Sequence, residues 1–410
     1  MSSIVVNGDT SGSVTLSAPA TAGTVTVTLP ATSGTMAVLP AATGVLAESA
    51  GGTGTSTGCY GFKNRIINGA MVIDQRNAGA SVTPTDGQYV LDRYQQLASA
   101  ASKYSVQQNA GSVTPPAGFT NYLGCTSLSA YSISASDYFN IRQSIEGFNV
   151  ADLGWGTANA ATVTLSFWVR SSLTGTFGGS FRDNSATRSY PFSYTISAAN
   201  TWEQKSITVA GDTSGTWATN NARSVLIQWS LGTGSTNSGT AGAWNSSGNL
   251  SATGATSVVG TSGATWYVTG VQLEKGSTAT SFDYRPYGTE LGLCQRYYEK
   301  SYNTSVVPGT SSANGYSVSP LGTNSIPNGA VYATSFFKVT KRAVPTLVIY
   351  SYVGTLAVVS AAASGSNLAA NSAAANSNSD SNFSLYNNTG GAVTTDGYGV
   401  IYNWTATAEL

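Results

Sequence analysis

Apolar and polar residues alternate with a period of two along much of the chain. In residues 161–170, Val163, Leu165 and Phe167 occupy every second position, with Thr164 and Ser166 between them. Similar runs occur at residues 203–209, 224–230 and 265–273, separated by segments rich in Gly, Ser and Asn. Because successive side chains of a strand point to opposite faces, these runs predict strands, and no helical period extends over a useful length. We expect an all-β protein whose central part is a jelly roll or two-sheet β-sandwich.

The first 57 residues form a low-complexity segment with a short repeat. Pro19, Pro30 and Pro40 recur in similar Ala/Thr/Gly surroundings, and residues 24–29 alternate threonine with valine or leucine. Each unit is typical of a strand closed by a Pro/Gly turn, which predicts a strand–turn shaft that ends in the Gly-rich hinge at residues 51–58. A flexible Thr/Ala/Pro linker is the alternative interpretation.

The shaft strands are too short to bury a core within a single chain. Their apolar faces need partner strands, and other copies of the same chain are the simplest source of them. The pattern therefore predicts an intertwined homo-oligomer.

The rest of the chain divides into two predicted domains. Residues 58–290 form the candidate jelly roll, and residues 291–410 form a candidate C-terminal β-sandwich. A Gly/Ser/Thr/Asn tract at residues 232–254 is expected to be a long loop, either functional or disordered.

Composition narrows the class of protein. Only 9% of residues are Asp, Glu, Lys or Arg, against about 25% in an average globular protein. Low charge combined with few aromatic residues would suggest disorder, but 22 Tyr and 8 Trp favour packed cores. The formal net charge is zero and no long basic run exists, so we expect no nucleic-acid partner.

Cellular context is inferred from the cysteines and from apolar stretches. Cys59, Cys125 and Cys294 are too few and too widely spaced for a disulfide scaffold or a zinc site, so we expect three buried thiols. The first residues lack the basic and apolar regions of a secretion signal, and no stretch of about 18 apolar residues occurs. We expect synthesis in the cytoplasm and no membrane insertion.

Histidine is absent from the chain, which excludes Ser-His-Asp and Cys-His catalysis and most zinc chemistry. A glycosidase needs only two carboxyl groups. The middle region has one cluster of acidic residues that merits testing, which consists of Asp137, Glu146, Asp152 and Asp183. We expect a protein that is not an enzyme, with a polysaccharide depolymerase as an alternative.

Several phrases in order along the chain resemble one group of proteins. They are Asn-Arg-Ile-Ile-Asn-Gly-Ala-Met-Val-Ile-Asp-Gln-Arg-Asn-Ala-Gly-Ala at residues 64–80, Tyr-Val-Leu-Asp-Arg-Tyr at 89–94, Val-Gln-Leu-Glu-Lys-Gly-Ser-Thr-Ala-Thr-Ser-Phe-Asp-Tyr-Arg-Pro at 271–286 and Cys-Gln-Arg-Tyr-Tyr at 294–298. Together they resemble phage and prophage tail-fibre or receptor-binding proteins whose middle domain is a carbohydrate-binding-module-like jelly roll. In the third phrase, Phe282 is expected to return to the core after the turn at Lys275 and Gly276.

The resemblance implies a homotrimer in the virion tail. Residues 1–57 would attach to other tail or baseplate proteins, and the rest would bind a glycan or lipopolysaccharide of the host surface. A capsid head fibre or decoration protein is the alternative within this class, and a cell-surface adhesin module is an alternative outside it.

Sugar binding needs exposed aromatic rings. Trp155, Trp217 and Trp244 lie in predicted loops, where each could instead fill a core or a contact between chains. Trp229 and Trp266 are expected in the core, and Trp168 either there or on the outer face.

The C-terminal region supplies a second set of candidates. Tyr386, Tyr398, Tyr402 and Trp404 are predicted to form a distal tip that binds the host. The competing interpretation is that these rings close the core and that the loop of Trp244 binds instead.

We predict no cofactor, with a structural calcium ion as the one candidate. The resemblance to carbohydrate-binding jelly rolls implies such an ion near the domain termini, with Asp74, Glu274 and Asp283 as ligands. Ordinary hydrogen-bonded carboxylates are the alternative interpretation.

Overall fold

A computed structural model describes residues 3–7, 13–17, 62–312, 314–320, 325–377, 379–395 and 398–410. The chain divides into two compact units, residues 1–59 and residues 60–410. In the first unit, β1 (Ser3–Asn7) and β2 (Ser13–Ser17) form an antiparallel pair. The predicted strand at residues 24–29 and the hinge at 51–58 lie outside the described residues, so the shaft and the trimer stay predictions, as does the domain boundary after residue 290.

The second unit begins with thirteen described strands. They are β3 (Tyr89–Leu91), β4 (Tyr94–Ala98), β5 (Tyr104–Gln108), β6 (Leu123–Ser127), β7 (Tyr138–Glu146), β8 (Val163–Ser171), β9 (Gly175–Arg182), β10 (Ser189–Ile196), β11 (Glu203–Val209), β12 (Arg223–Thr233), β13 (Ser238–Gly239), β14 (Ser251–Ala252) and β15 (Thr265–Lys275). Of these, β8, β11, β12 and β15 match the runs at residues 161–170, 203–209, 224–230 and 265–273 that the period-two pattern predicted. Short 3-10 turns lie at Ala110–Ser112, Gly147–Asn149, Ala151–Leu153 and Ser235–Asn237.

Two antiparallel sheets build a β-sandwich from these strands. One has six strands in the order β10-β9-β12-β7-β4-β3, and the other has five in the order β11-β8-β15-β6-β5. Val163, Leu165 and Phe167 are fully buried between the sheets, as the alternation in β8 predicted. Trp229 and Trp266 are also fully buried, which confirms their predicted place in the core.

The chain enters and leaves this sandwich at one place. The amide Nδ2 of Asn64 donates to the carbonyl of Val271 at 3.0 Å, and the backbone N–H of Asn64 donates to Asp283 Oδ2 at 3.1 Å. Arg285, which is buried, donates to the carbonyls of Asn64 and Ile66. These bonds join the first and last residues of the sandwich side by side.

The Gly/Ser/Thr/Asn tract at residues 232–254 lies against the outer face of the six-stranded sheet. It contains β13 and β14, which pair in parallel. Ser180 Oγ donates to the carbonyl of Asn249 at 2.8 Å, and Asn140 Nδ2 donates to the carbonyl of Leu250 at 3.2 Å. Strand side chains therefore anchor this loop by hydrogen bonds to its backbone.

A helix follows the sandwich, although the sequence predicted none. Helix α1 (Tyr287–Gln295) begins after Pro286 and buries Glu290 and Cys294. Its apolar residues follow no helical period, so tertiary contacts such as the 2.5 Å bond from the Asn68 N–H to Glu290 Oε1 hold it instead. Among the described residues, no helix has the length and apolar character needed to cross a membrane.

The rest of the second unit is also β structure. Its strands are β16 (Tyr298–Lys300), β17 (Ser317–Ser319), β18 (Ser325–Ile326), β19 (Val331–Phe336), β20 (Thr346–Tyr350), β21 (Ser360–Ala361), β22 (Ala374–Ser377), β23 (Asn382–Tyr386), β24 (Val393–Thr394) and β25 (Val400–Thr407). Strand β25 pairs with β16, β17, β20 and β21, while β19-β23-β22 forms a second sheet. Phe383, Leu385 and Trp404 share one core, so the predicted all-β fold with a second sandwich is confirmed.

Buried charges join the C-terminal strands to the first sandwich. Arg93 is 1% exposed, forms an ion pair with Glu409 and lies 3.5 Å from the ring centre of Tyr297. Glu146 accepts two hydrogen bonds from Arg296, at 3.0 and 2.6 Å. The carboxylates of Glu409 and Glu146 are thus each paired with an arginine, as a buried charge requires.

Two of the three thiols are described. Cys125 and Cys294 are fully buried and unpaired, as predicted, and burial raises the pKa of both thiols well above the ordinary value. Cys59 lies outside the described residues.

Candidate functional site

An aromatic hollow lies on the outer face of the five-stranded sheet. Trp168 follows the buried Phe167 along β8, so its ring points away from the core and is half-buried. The hollow has a volume of about 270 Å³ and is lined by Ala117, Gly118, Phe119, Ser166, Trp168, Gln204, Gly270, Thr280, Phe282 and Tyr284. We refer to it below as the aromatic hollow.

Gly270 allows the rings of Phe119 and Trp168 to approach the sheet. The register between β15 and β8 shifts between Thr269 and Gln272, and Gly270 has a φ of +61° at this bulge. A Cβ atom at Gly270 would lie 2.6 Å from Phe119 Cζ and 3.0 Å from Trp168 Cδ1. Only glycine leaves room for both rings at this position.

Three further rings form one wall of the hollow. The ring centres of Phe119 and Phe282 are 5.1 Å apart and those of Phe282 and Tyr284 are 5.6 Å apart, both in edge-to-face contact. Tyr284 is 54% exposed. Phe282 is half-buried in this wall instead of in the core, so the expectation for it was wrong. Its neighbour Asp283 accepts a hydrogen bond from the backbone N–H of Asn64.

Polar groups lie among these rings. Gln204 is exposed and stands opposite Trp168 across the β11–β8 pair. Ser166 and Thr280 also line the hollow. Aromatic faces beside amide and hydroxyl groups suit a ligand that has both apolar and hydrogen-bonding surfaces.

Two predicted calcium ligands position the loop that carries Phe282 and Tyr284. Glu274 is 3% exposed and accepts hydrogen bonds from Thr280 N at 2.9 Å, Thr280 Oγ1 at 2.6 Å and Gln272 Nε2 at 2.9 Å. The backbone N–H of Asp283 donates to Gln272 Oε1 at 2.7 Å. This network fixes the shape of the loop with protein donors.

The third predicted ligand serves another loop. Asp74 accepts hydrogen bonds from the backbone N–H groups of Arg76, Asn77 and Gly79, at 3.2, 2.9 and 2.7 Å. In the described part of the chain, no three acidic, histidine or cysteine side chains converge as metal ligands. A cation at Asp74 or Glu274 would have to displace donors that already bind these carboxylates.

The three loop tryptophans lie together at another part of the sandwich. Trp155 and Trp217 are 7% and 9% exposed, and their ring centres are 4.9 Å apart. Trp244 is partly buried, 5.4 Å from Trp155 and 5.4 Å from Tyr190, and its Nε1 donates to the carbonyl of Ala210 at 2.7 Å. Trp155 and Trp217 therefore fill core space and leave little ring surface for a ligand.

The four aromatic residues predicted for the tip do not form one surface. Tyr402 and Trp404 are 1% and 4% exposed and pack in the second core, where a sugar has no access to their faces. Tyr386 is half-buried on β23, and Tyr398 is 72% exposed. Because both rings are buried, the prediction that Tyr402 and Trp404 form part of a binding surface is wrong.

The acidic residues considered for catalysis have separate partners. Asp137 accepts from Ser99 Oγ at 2.8 Å, and Glu146 is bound by Arg296 and by Tyr297 Oη at 2.6 Å. Asp152 lies 2.8 Å from Arg65, and Asp183 accepts from Thr187 at 2.7 Å. Each carboxylate holds a different local structure.

Sequence reasoning missed Phe119, Phe282, Tyr284 and Gln204 as site residues. One signal was available: Trp168 occupies a polar-face position of β8, between Val169 and Phe167 of the core face. The other rings come from loops whose course depends on tertiary hydrogen bonds, which no local pattern encodes.

Comparisons with known proteins find matches among solved structures only. No protein-family model matches the chain, and no curated protein matches it. Among solved structures, the enzymatically active domain of bacteriophage CBA120 tailspike protein 4 is similar with a TM-score of 0.30 and 12% identity, over 52% of this chain and 22% of that one. The match thus spans about a fifth of the tailspike domain's length.

Two carbohydrate-binding modules are also similar. A CBM4 structure has a TM-score of 0.26 and 15% identity, over 51% of this chain and 98% of that one. A family 11 module from Clostridium thermocellum, in complex with a β-1,3-1,4-mixed-linked tetrasaccharide, has a TM-score of 0.26 and 12% identity, over 48% of this chain and 98% of that one. At such scores and identities these likenesses carry no argument, and the assignment of the β-sandwich rests on the strand pairing of this chain.

Proposed function

We propose that this protein is a structural component of a phage tail that binds a glycan on the host surface through the aromatic hollow. The observation that carries the binding proposal is the group of Phe119, Trp168, Phe282 and Tyr284 around one open hollow. Rings that serve only to fill a core are covered, whereas Tyr284 is 54% exposed. The flat faces fit the apolar face of a sugar ring, and Gln204 offers an amide for its hydroxyl groups.

The proposed location of the protein in a phage tail is supported by other observations. The ordered phrases of the sequence resemble tail-fibre proteins, and a chain with 9% charged residues and an all-β fold fits an extracellular structural part. Residues 1–57 would attach to tail or baseplate proteins, and three chains would assemble into one fibre. Three weak sites on one fibre would raise the apparent affinity about 10²–10⁴-fold.

Binding is tested with the full chain on an array of bacterial capsular and lipopolysaccharide-derived saccharides. The best saccharide is then titrated calorimetrically against wild type, Tyr284→Ala and Trp168→Ala. We expect each variant to bind at least about tenfold more weakly, which corresponds to a loss of about 1.4 kcal/mol. Tyr284→Ala should disturb the fold less than Trp168→Ala, because Tyr284 is already more than half exposed to solvent.

Phe148→Ala is the matched control, since Phe148 is an aromatic residue that is 62% exposed and lies outside the hollow. It should bind as wild type does. Equal binding by wild type and both hollow variants would refute the proposed site. Release of short saccharides from intact polysaccharide would instead favour the depolymerase alternative, since we propose binding without turnover.

A further inference from the structure

Three arginines share the outer face of the six-stranded sheet, on the side opposite the aromatic hollow. Arg142 is on β7 next to the buried Ile141, and Arg182 is on β9 next to the buried Phe181, so both point outward. Arg223 begins β12, the strand between them. A register shift after Arg223 sets it opposite Glu146, and this bulge turns it to the same face.

None of these arginines has a carboxylate partner in the described part of the chain. Arg142 donates to Gln95 Oε1 at 3.1 and 2.5 Å, and Arg223 Nε donates to Asn184 Oδ1 at 2.6 Å. These amide oxygens use only part of the donor capacity, since each guanidinium has five N–H groups.

The nearby carboxylates are engaged elsewhere. Glu146 binds Arg296 through both oxygens. Asp183 accepts from the backbone and side chain of Thr187, at 2.9 and 2.7 Å, and Asp86 accepts from the N–H of Ala98 at 2.9 Å. The three arginines therefore concentrate positive charge in a chain whose formal net charge is zero.

The guanidinium groups influence one another. Burial, followed by repulsion from Arg223 and then from Arg182, lowers the pKa of Arg142 to about 10. Burial, followed by repulsion from Arg223, also lowers the pKa of Arg182. A bound anion would offset this repulsion and would favour the charged form of both groups.

Unpartnered polar atoms lie on the same face. Arg182 Nε, Gln228 Oε1 and Ser144 Oγ are buried without a hydrogen-bond partner in the described structure. Gln228 is 0% exposed and pairs with Arg142 across β12 and β7, and Ser144 is 2% exposed and pairs with Leu226, which also pairs with Arg182. Buried polar atoms normally have partners, so a donor and an acceptor left open beside three cations indicate a place for a polar ligand.

We propose that Arg142, Arg182 and Arg223 form a binding site for an oxyanion, the carboxylate or phosphate of an acidic saccharide. The guanidinium groups bind the anionic oxygens, and the open atoms of Gln228 and Ser144 bind neighbouring hydroxyl groups. Arg182 and Arg223 are half-buried and reach solvent, so a ligand can approach them. This site is separate from the aromatic hollow and goes beyond the function proposed for it.

The test uses the full chain at low ionic strength with four probes: inorganic phosphate, sulfate, trigalacturonate and the neutral galactotriose. We expect the anions to bind and to raise the melting temperature, and galactotriose to do neither. Tighter binding of trigalacturonate than of phosphate identifies an acidic saccharide as the source of the oxyanion, and equal binding identifies a free oxyanion. Arg182→Gln and Arg223→Gln should each weaken anion binding about 10- to 100-fold, and added salt should weaken it in wild type.

Arg170→Gln is the control, because Arg170 lies on the five-stranded sheet and donates to the carbonyl of Asn200 at 3.0 Å. It should keep anion binding. Without anion, Arg182→Gln and Arg223→Gln should melt at or above the temperature of wild type, because each removes a like charge, whereas a structural role would lower it. The proposal is wrong if no anion binds, if both glutamine variants bind as wild type does, or if Arg170→Gln loses as much affinity.

Discussion

Gly270 allows a direct test of how the aromatic hollow is built. In Gly270→Ala, the new Cβ would lie 2.6 Å from Phe119 Cζ, whereas carbon atoms in ordinary contact are about 3.5–4.0 Å apart. The ring must therefore move by about 1 Å, and such overpacking costs about 1–3 kcal/mol. The positive φ of +61° adds strain of about 1–2 kcal/mol for any residue with a Cβ.

Gly263→Ala separates these two costs. Gly263 has a φ of +74°, and a Cβ there would have no atom within 4 Å. Urea unfolding followed by tryptophan fluorescence should show that Gly270→Ala loses about 1–3 kcal/mol more stability than Gly263→Ala. In the Phe119→Ala background, Gly270→Ala should cost only the strain and the 3.0 Å contact with Trp168, and in the wild-type background it should also weaken glycan binding. If the two glycine variants were equally stable, the close contact of Phe119 with Gly270 would be refuted.

Three further predictions concern other parts of the molecule. Lys341 and Glu299 form a fully buried ion pair at 2.5 Å, so Lys341→Met should lower the free energy of unfolding by about 3–5 kcal/mol, and adding Glu299→Gln should restore part of it; a double variant no more stable than the single one would contradict this. Burial raises the pKa of Asp92 to about 6, against the opposing effects of Arg76 and of the Gln75 hydrogen bonds; the folded state thus holds an extra proton between about pH 4 and 6, and stability should fall by about 3 kcal/mol as pH rises through this range. The stability of Asp92→Asn should not fall over this pH range. If wild type and the variant showed the same dependence of stability on pH, Asp92 would not be the group responsible. Native mass spectrometry should give three chains for the intact protein, and deletion of residues 1–50 should leave soluble protein that is not incorporated into particles; a stable monomer or normal incorporation would count against the trimeric, particle-attached arrangement.

The sequence predicted the strands well where one face is apolar. In β8 and β12 the alternation follows directly from burial of one face, so Phe167 and Trp229 were placed correctly. Helix α1 could not be predicted in this way. Gly288 and Gly292 weaken its helical propensity, and its position depends on buried partners such as Asn68, which is distant in the sequence.

The candidate site was harder to predict than the fold. Tyr402 and Trp404 have the same residue types as a sugar-binding surface, but they belong to the central strand β25 and their side chains are buried in the second core. Phe119 and Tyr284 come from loops 165 positions apart that meet only in the folded protein. Trp168 differs from Trp229 and Trp266 only in that it lies on the polar face of its strand. The face on which a tryptophan lies decides whether its ring is buried.

The side-by-side entry and exit of the first sandwich have a mechanical consequence. When the chain is pulled at both ends of this sandwich, the load falls first on the short links from Asn64 to Asp283 and from Arg285 to Asn64 and Ile66. The sheets then lie beside the path of the force and are not stretched in series with it. A pull along the chain would therefore leave both outer faces, with the aromatic hollow on one and the three arginines on the other, undistorted until these links break.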